Sequence, residues 1–309
     1  MGTMHGPQRV SVIIPTRNGE KSLTDLFIAL DRQDLRPDEI LVGDSASSDA
    51  TLQICRRYGA KIVPIGKGQF DHGGTRSQLA KLATGGIVVF FTQDAIPAAT
   101  DSLRRLIAPL EGDIACSYGR QLPSPDATPF SAHLRLFNYP PQSSIRSHAD
   151  RERFGLKTVF VSNSFAAYRR GPLEEVGYFK NNLIFGEDTC TLGRLLLAGY
   201  RVAYVSEAAV YHSHNYSLVE EFRRSFDIGV LHSTEKWLLA TYGRAEGVGG
   251  RYVRSVLNML SREKKYHLLP DCFLRIISKA GGYTCGRFHA KMPARLRPLL
   301  SMNRAWWQG

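Results

Sequence analysis

Three clusters of polar residues each follow an apolar, β-branched run in the first hundred residues. Thr16-Arg17-Asn18-Gly19 follows Val10–Pro15, Gly43 to Asp49 (GDSASSD) follows Ile40–Val42, and Gln93-Asp94-Ala95 follows Gly86–Thr92. Between the last two lies Gly68 to Arg76 (GQFDHGGTR). A helix opened by Gly73-Gly74-Thr75-Arg76 offers backbone N–H groups and a guanidinium, which is what a diphosphate needs. The same residues have plainer uses: Asp44 with Ser45 and Ser47 can cap a helix, and Gly73-Gly74 can form a tight turn. Neither G-x-G-x-x-G nor G-x-x-x-x-G-K-[ST] occurs, so dinucleotide and P-loop readings lose their main support.

Two further groups carry chemistry. Phe185-Gly186-Glu187-Asp188 puts two carboxylates at a helix start, where they either cap the helix and meet its dipole or take a proton from an attacking hydroxyl. Tyr211-His212-Ser213-His214-Asn215-Tyr216 follows a strand-like run. One histidine of the pair is expected to enter any given site. With Asp94, that histidine could ligate a divalent cation.

The elements that must hold these residues alternate. Strand runs at Val10–Pro15, Ile40–Val42, Lys61–Ile65 and Gly86–Thr92 are separated by helical stretches at 21–33, Ala50–Tyr58 and Thr75–Leu82, which predicts a doubly wound, mostly parallel sheet. Ligands of such sheets bind at the carboxyl ends of the strands, where the three clusters should meet. Residues 120–150, with five prolines, read as a surface excursion over the sheet. Order resumes at Thr158–Tyr168, a helix is expected over Asp188–Ala198, and short strands at Val202–Val205 and Ala208–Tyr211. Apolar residues one turn apart then predict three amphipathic helices, around Phe222–Val230, Val253–Leu260 and Phe273–Ala280.

Length and composition fit one large α/β domain with an appendage: 309 residues, 43% hydrophobic and 22% charged. No apolar run is long enough to span a membrane, and the N-terminal residues lack a signal-peptide core, so a cytoplasmic location is expected. Five scattered cysteines without a CxxC pair argue against disulfides and structural zinc. The net charge of +12 is uneven: residues 216–309 carry 16 Lys/Arg against 7 Asp/Glu, leaving the first 215 nearly neutral. A basic tail calls for an anionic partner such as a phosphate-bearing substrate or an acidic membrane face. It matches no nucleic-acid-reading motif and aromatic interleaving of its basic residues is sparse, so a nucleic-acid partner is not expected.

In order, VSVIIPTRNG, EILVGDSASSDAT, GGTRSQLAKLATGGIVVFFTQDA and FGEDTCTLGRLLLAGY resemble glycosyltransferase family 2, the inverting GT-A enzymes, over roughly residues 8–217. FDHGGTR, TQDAIPA and YHSHNYSL resemble its bacterial rhamnosyltransferase branch, which uses dTDP-rhamnose. The resemblance implies a GT-A (Rossmann-like) α/β domain over 8–217 and a basic α-helical module over 218–309. It implies that Thr16, Arg17 and Asn18 border the nucleoside, that Asp44 hydrogen-bonds a pyrimidine, and that Arg76 stands near the diphosphate. Gln93 and Asp94 occupy the place of the metal-binding Asp-x-Asp motif, with His212 as a further ligand of Mg²⁺ or Mn²⁺. Asp188 would be the catalytic base, with Glu187 supporting it. Two departures stand out: Ala95 replaces the motif's second aspartate, which puts metal dependence in question, and Ser77 replaces an asparagine.

The implied reaction is a single displacement that inverts the anomeric carbon of a nucleoside-diphosphate sugar. The acceptor would be a hydroxyl of a glycan or lipid-linked glycan, reached from the inner face of the membrane. Arg251, Arg254, Lys264, Lys265, Arg275 and Lys279 could dock on anionic headgroups. Alternatives are a UDP-sugar donor, or a sugar nucleotidyltransferase. The second would want a glycine- and lysine-rich loop after the first strand, where TRNGEKS stands.

Overall fold

The structure is a computed structural model that describes residues 9–243 and 246–308. Its sheet begins with four parallel strands, β1 (Val10–Thr16), β2 (Glu39–Asp44), β3 (Lys61–Pro64) and β4 (Ile87–Phe91), in the order β3-β2-β1-β4. Helices α1 (Glu20–Asp31), α2 (Thr51–Arg57) and α3 (His72–Leu82) make the crossovers. Val12, Ile14, Val89 and Phe91 face one layer, and Ile13, Val88 and Phe90 the other. All are buried, which is why these strands read as unbroken apolar runs.

After β4 the chain makes β5 (Ile96–Pro97), α4 (Ser102–Ile107) and β6 (Ile114–Leu122). Residues 120–150 are not a plain surface excursion. They hold the end of β6, the helix α5 (Pro129–Asn138) and the edge strand β7 (Ser144–Arg146). The prolines mislead here because Pro129 sits in the first turn of α5, where no N–H is needed, behind the cap Thr128. A short α6 (Arg151–Phe154) leads to β8 (Phe165–Arg169), which is inserted antiparallel between β4 and β6. Helices α7 (Arg170–Glu175) and α8 (Glu187–Leu197) follow. The two short strands expected over 202–211 are one strand, β9 (Arg201–Tyr211), parallel to β6 with a register shift opposite Gly119/Arg120.

The last third is helical: α9 (Leu218–Thr234), α10 (Lys236–Tyr242), α11 (Glu246–Arg262) and α12 (Leu269–Arg287), with short turns beyond. Ser217 and Glu220 form a capping box that starts α9. α9 and α12 pack backbone to backbone: a Cβ on Gly282 or Gly286 would lie 2.2 and 2.0 Å from the carbonyl oxygens of Phe222 and Phe226. Phe226, Val230, Leu231 and Leu238 share a core with Leu183, Ile184 and Cys190, so these helices buttress the segment that leads into α8. Not all their cations face outward. Arg275 and Lys279 lie 3.3 and 3.1 Å from Glu221, turned against α9, and do not form part of an exposed basic face. Among the described residues, no helix is long and apolar enough to cross a membrane.

Candidate active site

The parallel order sets the carboxyl ends of β1, β2 and β4 side by side, and the three polar clusters meet there. Gln93 fastens two of them. Its Oε1 accepts hydrogen bonds from the Thr16 hydroxyl (2.6 Å) and the Arg17 N–H (3.0 Å), and its Nε2 donates to the Arg17 carbonyl (3.3 Å). Asn18, at a left-handed φ of 48°, donates its N–H to Ser47 Oγ and accepts from the Ser48 N–H. Arg17 and Asn18 are exposed at this rim. Asp44 is buried, with Oδ2 accepting from the Ser47 N–H at 3.1 Å and Oδ1 without a partner. Asp49, not Asp44, meets the Thr51 N–H at the start of α2. A buried acceptor left unpaired costs about 1–3 kcal/mol, so Asp44 Oδ1 calls for a ligand N–H.

Asp94 stands beyond β4 beside both histidines. His212 Nε2 lies 3.4 Å from its Oδ1 and His214 Nδ1 lies 4.0 Å from its Oδ2. The expectation that one histidine would enter is corrected: both do, with rings 4.7 Å apart. Residues two apart along an extended chain point to the same side, and the chain beyond the end of β9 at Tyr211 keeps both rings there. The three ligand atoms lie within 4.8 Å of one another, and the set of one carboxylate and two imidazoles fits a divalent cation. Gln121 Oε1 sits 3.1 Å from His212 Nδ1, so an N–H there leaves the Nε2 lone pair for the cation side. Ala95, where the motif's second aspartate would be, is fully buried in the core below. His214 supplies the third possible ligand atom of the group. Burial pushes the Asp94 carboxyl upward, but the two imidazoles hold it well below the usual carboxylate range; burial lowers His214 to about 4.

The carboxylate pair at the start of α8 behaves differently. Glu187 is buried, with Oε1 3.2 Å from Arg76 Nη1 and 3.4 Å from Asn163 Nδ2. Burial raises its proton affinity, but Arg76 and His72 more than offset this and keep it ionised. Asp188 is pushed up to about 7, by burial first and then by the Glu187 charge beside it, against the N–H groups of Thr189 and Asn163. One carboxylate fixed as an anion and its neighbour poised near neutrality is the division expected of a base and its partner. Arg76 is buried on Glu187, which neutralises its charge, and α3 does not open into the cleft as an anion cradle. Asp71 accepts the Gly74 N–H, and a Cβ on Gly73 would lie 1.9 Å from the Lys180 carbonyl oxygen.

Three residues that link the two halves of the site were not read from the sequence. Gln121 Nε2 donates to Ser162 Oγ (3.0 Å), Ser162 adjoins Asn163, and the Asn163 N–H meets Asp188. Tyr168 in turn donates to Asn163 Oδ1 at 2.9 Å. The signal for Asn163 was the polar Ser-Asn-Ser inside the apolar run TVFVSNSFAAY. Gln121 lay in the stretch read as an excursion.

With this geometry in place, comparison with known proteins is direct. The family model for glycosyl transferase family 2 matches residues 11–177. The chain is 38% identical to the O-antigen chain rhamnosyltransferase RfbN of Salmonella typhimurium over 302 residues, 97% of this chain and 96% of that protein. It is also 38% identical to the O-antigen chain rhamnosyltransferase WbaN of Salmonella anatum over 300 residues, 96% of this chain and 95% of that one. Among solved structures, the Pyrobaculum calidifontis mannosyltransferase PcManGT, in complex with GDP-Man and Mn²⁺, superposes with a TM-score of 0.60 at 19% identity, covering 97% of this chain and 85% of that one. S. aureus TarS 1–349 in complex with UDP-GlcNAc gives 0.54 at 22% identity, covering 96% and 88%; these two share the GT-A fold. The chain belongs to glycosyl transferase family 2 and is a glycosyltransferase. Within the family it falls in the rhamnosyltransferase-like branch, with the two Salmonella proteins.

Proposed function

We propose that the enzyme transfers L-rhamnose from dTDP-rhamnose, with inversion, to a hydroxyl of a glycan or lipid-linked acceptor in bacterial cell-surface polysaccharide synthesis. The observation that carries the reaction is the Glu187/Asp188 pair of divergent proton affinity, joined to the Asp94–His212–His214 triad by hydrogen bonds through Gln121, Ser162 and Asn163. The sugar and the pathway rest on the near-full-length likeness to RfbN and WbaN.

In this reading Thr16, Arg17 and Asn18 border the nucleoside, and Gln93 braces that rim. Asp44 Oδ1 accepts the ring N–H of the pyrimidine. Thymine and uracil share that group, so Asp44 does not by itself choose between dTDP and UDP. Asp188 takes the acceptor proton as the hydroxyl attacks the anomeric carbon, and no covalent sugar–enzyme intermediate forms. Glu187, held ionised by Arg76, keeps Asp188 basic enough for that step. A divalent cation on Asp94, His212 and His214 would supply Lewis-acid stabilisation of the departing diphosphate. Two imidazoles in the set favour Mn²⁺ over the harder Mg²⁺. Residues 8–217 form the transferase unit and 218–309 a helical module on it. The enzyme works in the cytoplasm, resting peripherally on the inner membrane face through Arg251, Arg254, Lys264 and Lys265.

Thermal stability against dTDP, dTDP-rhamnose, UDP and UDP-sugars, each with Mn²⁺ or Mg²⁺, tests this, since ligands of the folded state raise the midpoint by mass action. We expect dTDP compounds with Mn²⁺ to give the largest rise, and His214→Ala to lose the Mn²⁺ part of it. A larger rise with UDP compounds would overturn the donor assignment.

A further inference from the structure

The departing diphosphate carries more negative charge than one cation site neutralises, and Arg76 is already paired with Glu187. Another guanidinium stands beside residues that adjoin both charged groups. Arg224, on α9, is exposed and lies between two aromatic rings, 5.8 Å from the centroid of Phe185 and 5.9 Å from that of Tyr216. Phe185 leads directly into Glu187 and Asp188. The Tyr216 ring lies 5.4 Å from that of His214. Arg224 therefore packs on one ring that leads into the carboxylate pair and on another that lies against His214 of the triad.

The carboxylates that a helix offers at three and four residues' distance are committed elsewhere. Glu220 is tied into the capping box with Ser217, and Glu221 holds Arg275 and Lys279. Asp227 accepts from the Ser301 hydroxyl and from the N–H groups of Met302 and Asn303. Two aromatic faces fix the plane of a guanidinium without neutralising it. Its N–H fork is then left for an anion with paired oxygens.

We propose that Arg224 binds the diphosphate of the donor, so that the C-terminal helices complete the active site. This rests on the reading of the cleft as a nucleotide-sugar site and adds to it the residue that meets the leaving group. A diphosphate could also arrive on a lipid-linked acceptor, and the same variants distinguish the two sources.

Calorimetric titration of dTDP and of thymidine, both with Mn²⁺, into wild type, Arg224→Ala and Arg224→Lys tests it. Arg224→Ala should weaken dTDP by about tenfold or more and leave thymidine unchanged. Arg224→Lys should recover part of the loss, since it restores the charge and not the fork. Equal dTDP affinity in wild type and Arg224→Ala would overturn the inference while leaving the nucleotide site standing. An unchanged donor KM with a raised KM for a lipid-diphosphate-linked acceptor would overturn the donor assignment. Failure of the wild type to bind dTDP, UDP or GDP would remove the reading of the cleft and the inference with it.

Discussion

Glu187 and Asp188 are chemically near-identical neighbours at one helix start, and their surroundings drive them apart. Glu187 has Arg76 at 3.2 Å, whereas Asp188 meets backbone N–H groups and the Glu187 charge itself. The sign of the pH dependence follows. A base works when ionised, and the Asp188 proton affinity is raised, so turnover should fall as pH drops through neutrality rather than near the ordinary carboxylate range. Glu187→Gln removes the charge that raises Asp188 and leaves Arg76 to favour its ionised form. The acid limb of the rate profile should therefore move to lower pH. The variant should also lose about 3–5 kcal/mol of stability, because Arg76 is left buried and unpaired. A limb that stays in place, read from rates across neutral pH, would mean that Glu187 does not tune the base. At this scale the sequence exposed Asp44, Asp94, Glu187 and Asp188, because carboxylates at strand ends and helix starts stand out. It did not expose His214 beside His212, although residues two apart on an extended chain stand on one side of it. Nor did it expose the pairing of Arg76 with Glu187, which lie far apart in the chain and meet through α3 and α8.

The parallel strands were legible as elements because burial on both faces leaves unbroken apolar runs such as Ile87–Phe91. The insertion of β8 between β4 and β6 was not, because antiparallel pairing between distant segments leaves no local pattern. α5 and β7 were hidden by prolines that in fact sit at the helix start and in the loops on either side of α5. The helices of the last third were legible from their apolar spacing, but their closeness was carried by glycines. Gly286→Ala should test that closeness. The new methyl meets the Phe226 carbonyl oxygen, which cannot move without shifting α9. A destabilisation of about 1–3 kcal/mol is expected from such overpacking, measured by denaturant unfolding. Unchanged stability would mean that α9 and α12 are less tightly joined than the structure has them.

Across the whole molecule, the strand ends supply the polar rim, the chain beyond β4 and β9 the triad, and the start of α8 the carboxylate pair, and the C-terminal helices pack against the segment that leads into α8. Phe226, Val230 and Leu231 pack on Leu183 and Ile184, just before Phe185, so the C-terminal helices and the segment that leads into Glu187 and Asp188 share a core. Net charge alone pointed to an outward basic face, but Arg275 and Lys279 turn inward onto Glu221, because a helix carrying both signs pairs with its neighbour where it can. The family and its branch were legible from the order of the motifs. The residue set that could hold a cation was legible only in part, since Ala95 removed the signal that usually marks it.

The most direct measurement is the rate of dTDP release from dTDP-rhamnose, in the presence of membranes that carry the lipid-linked acceptor, for wild type and Asp188→Asn, with the donor affinity of each measured alongside. The expected result is unchanged donor affinity with turnover lowered by about 10²–10⁴-fold, as loss of a general base requires. Near-normal turnover in Asp188→Asn would contradict the assignment of the base, and with it the single-displacement reading of the site.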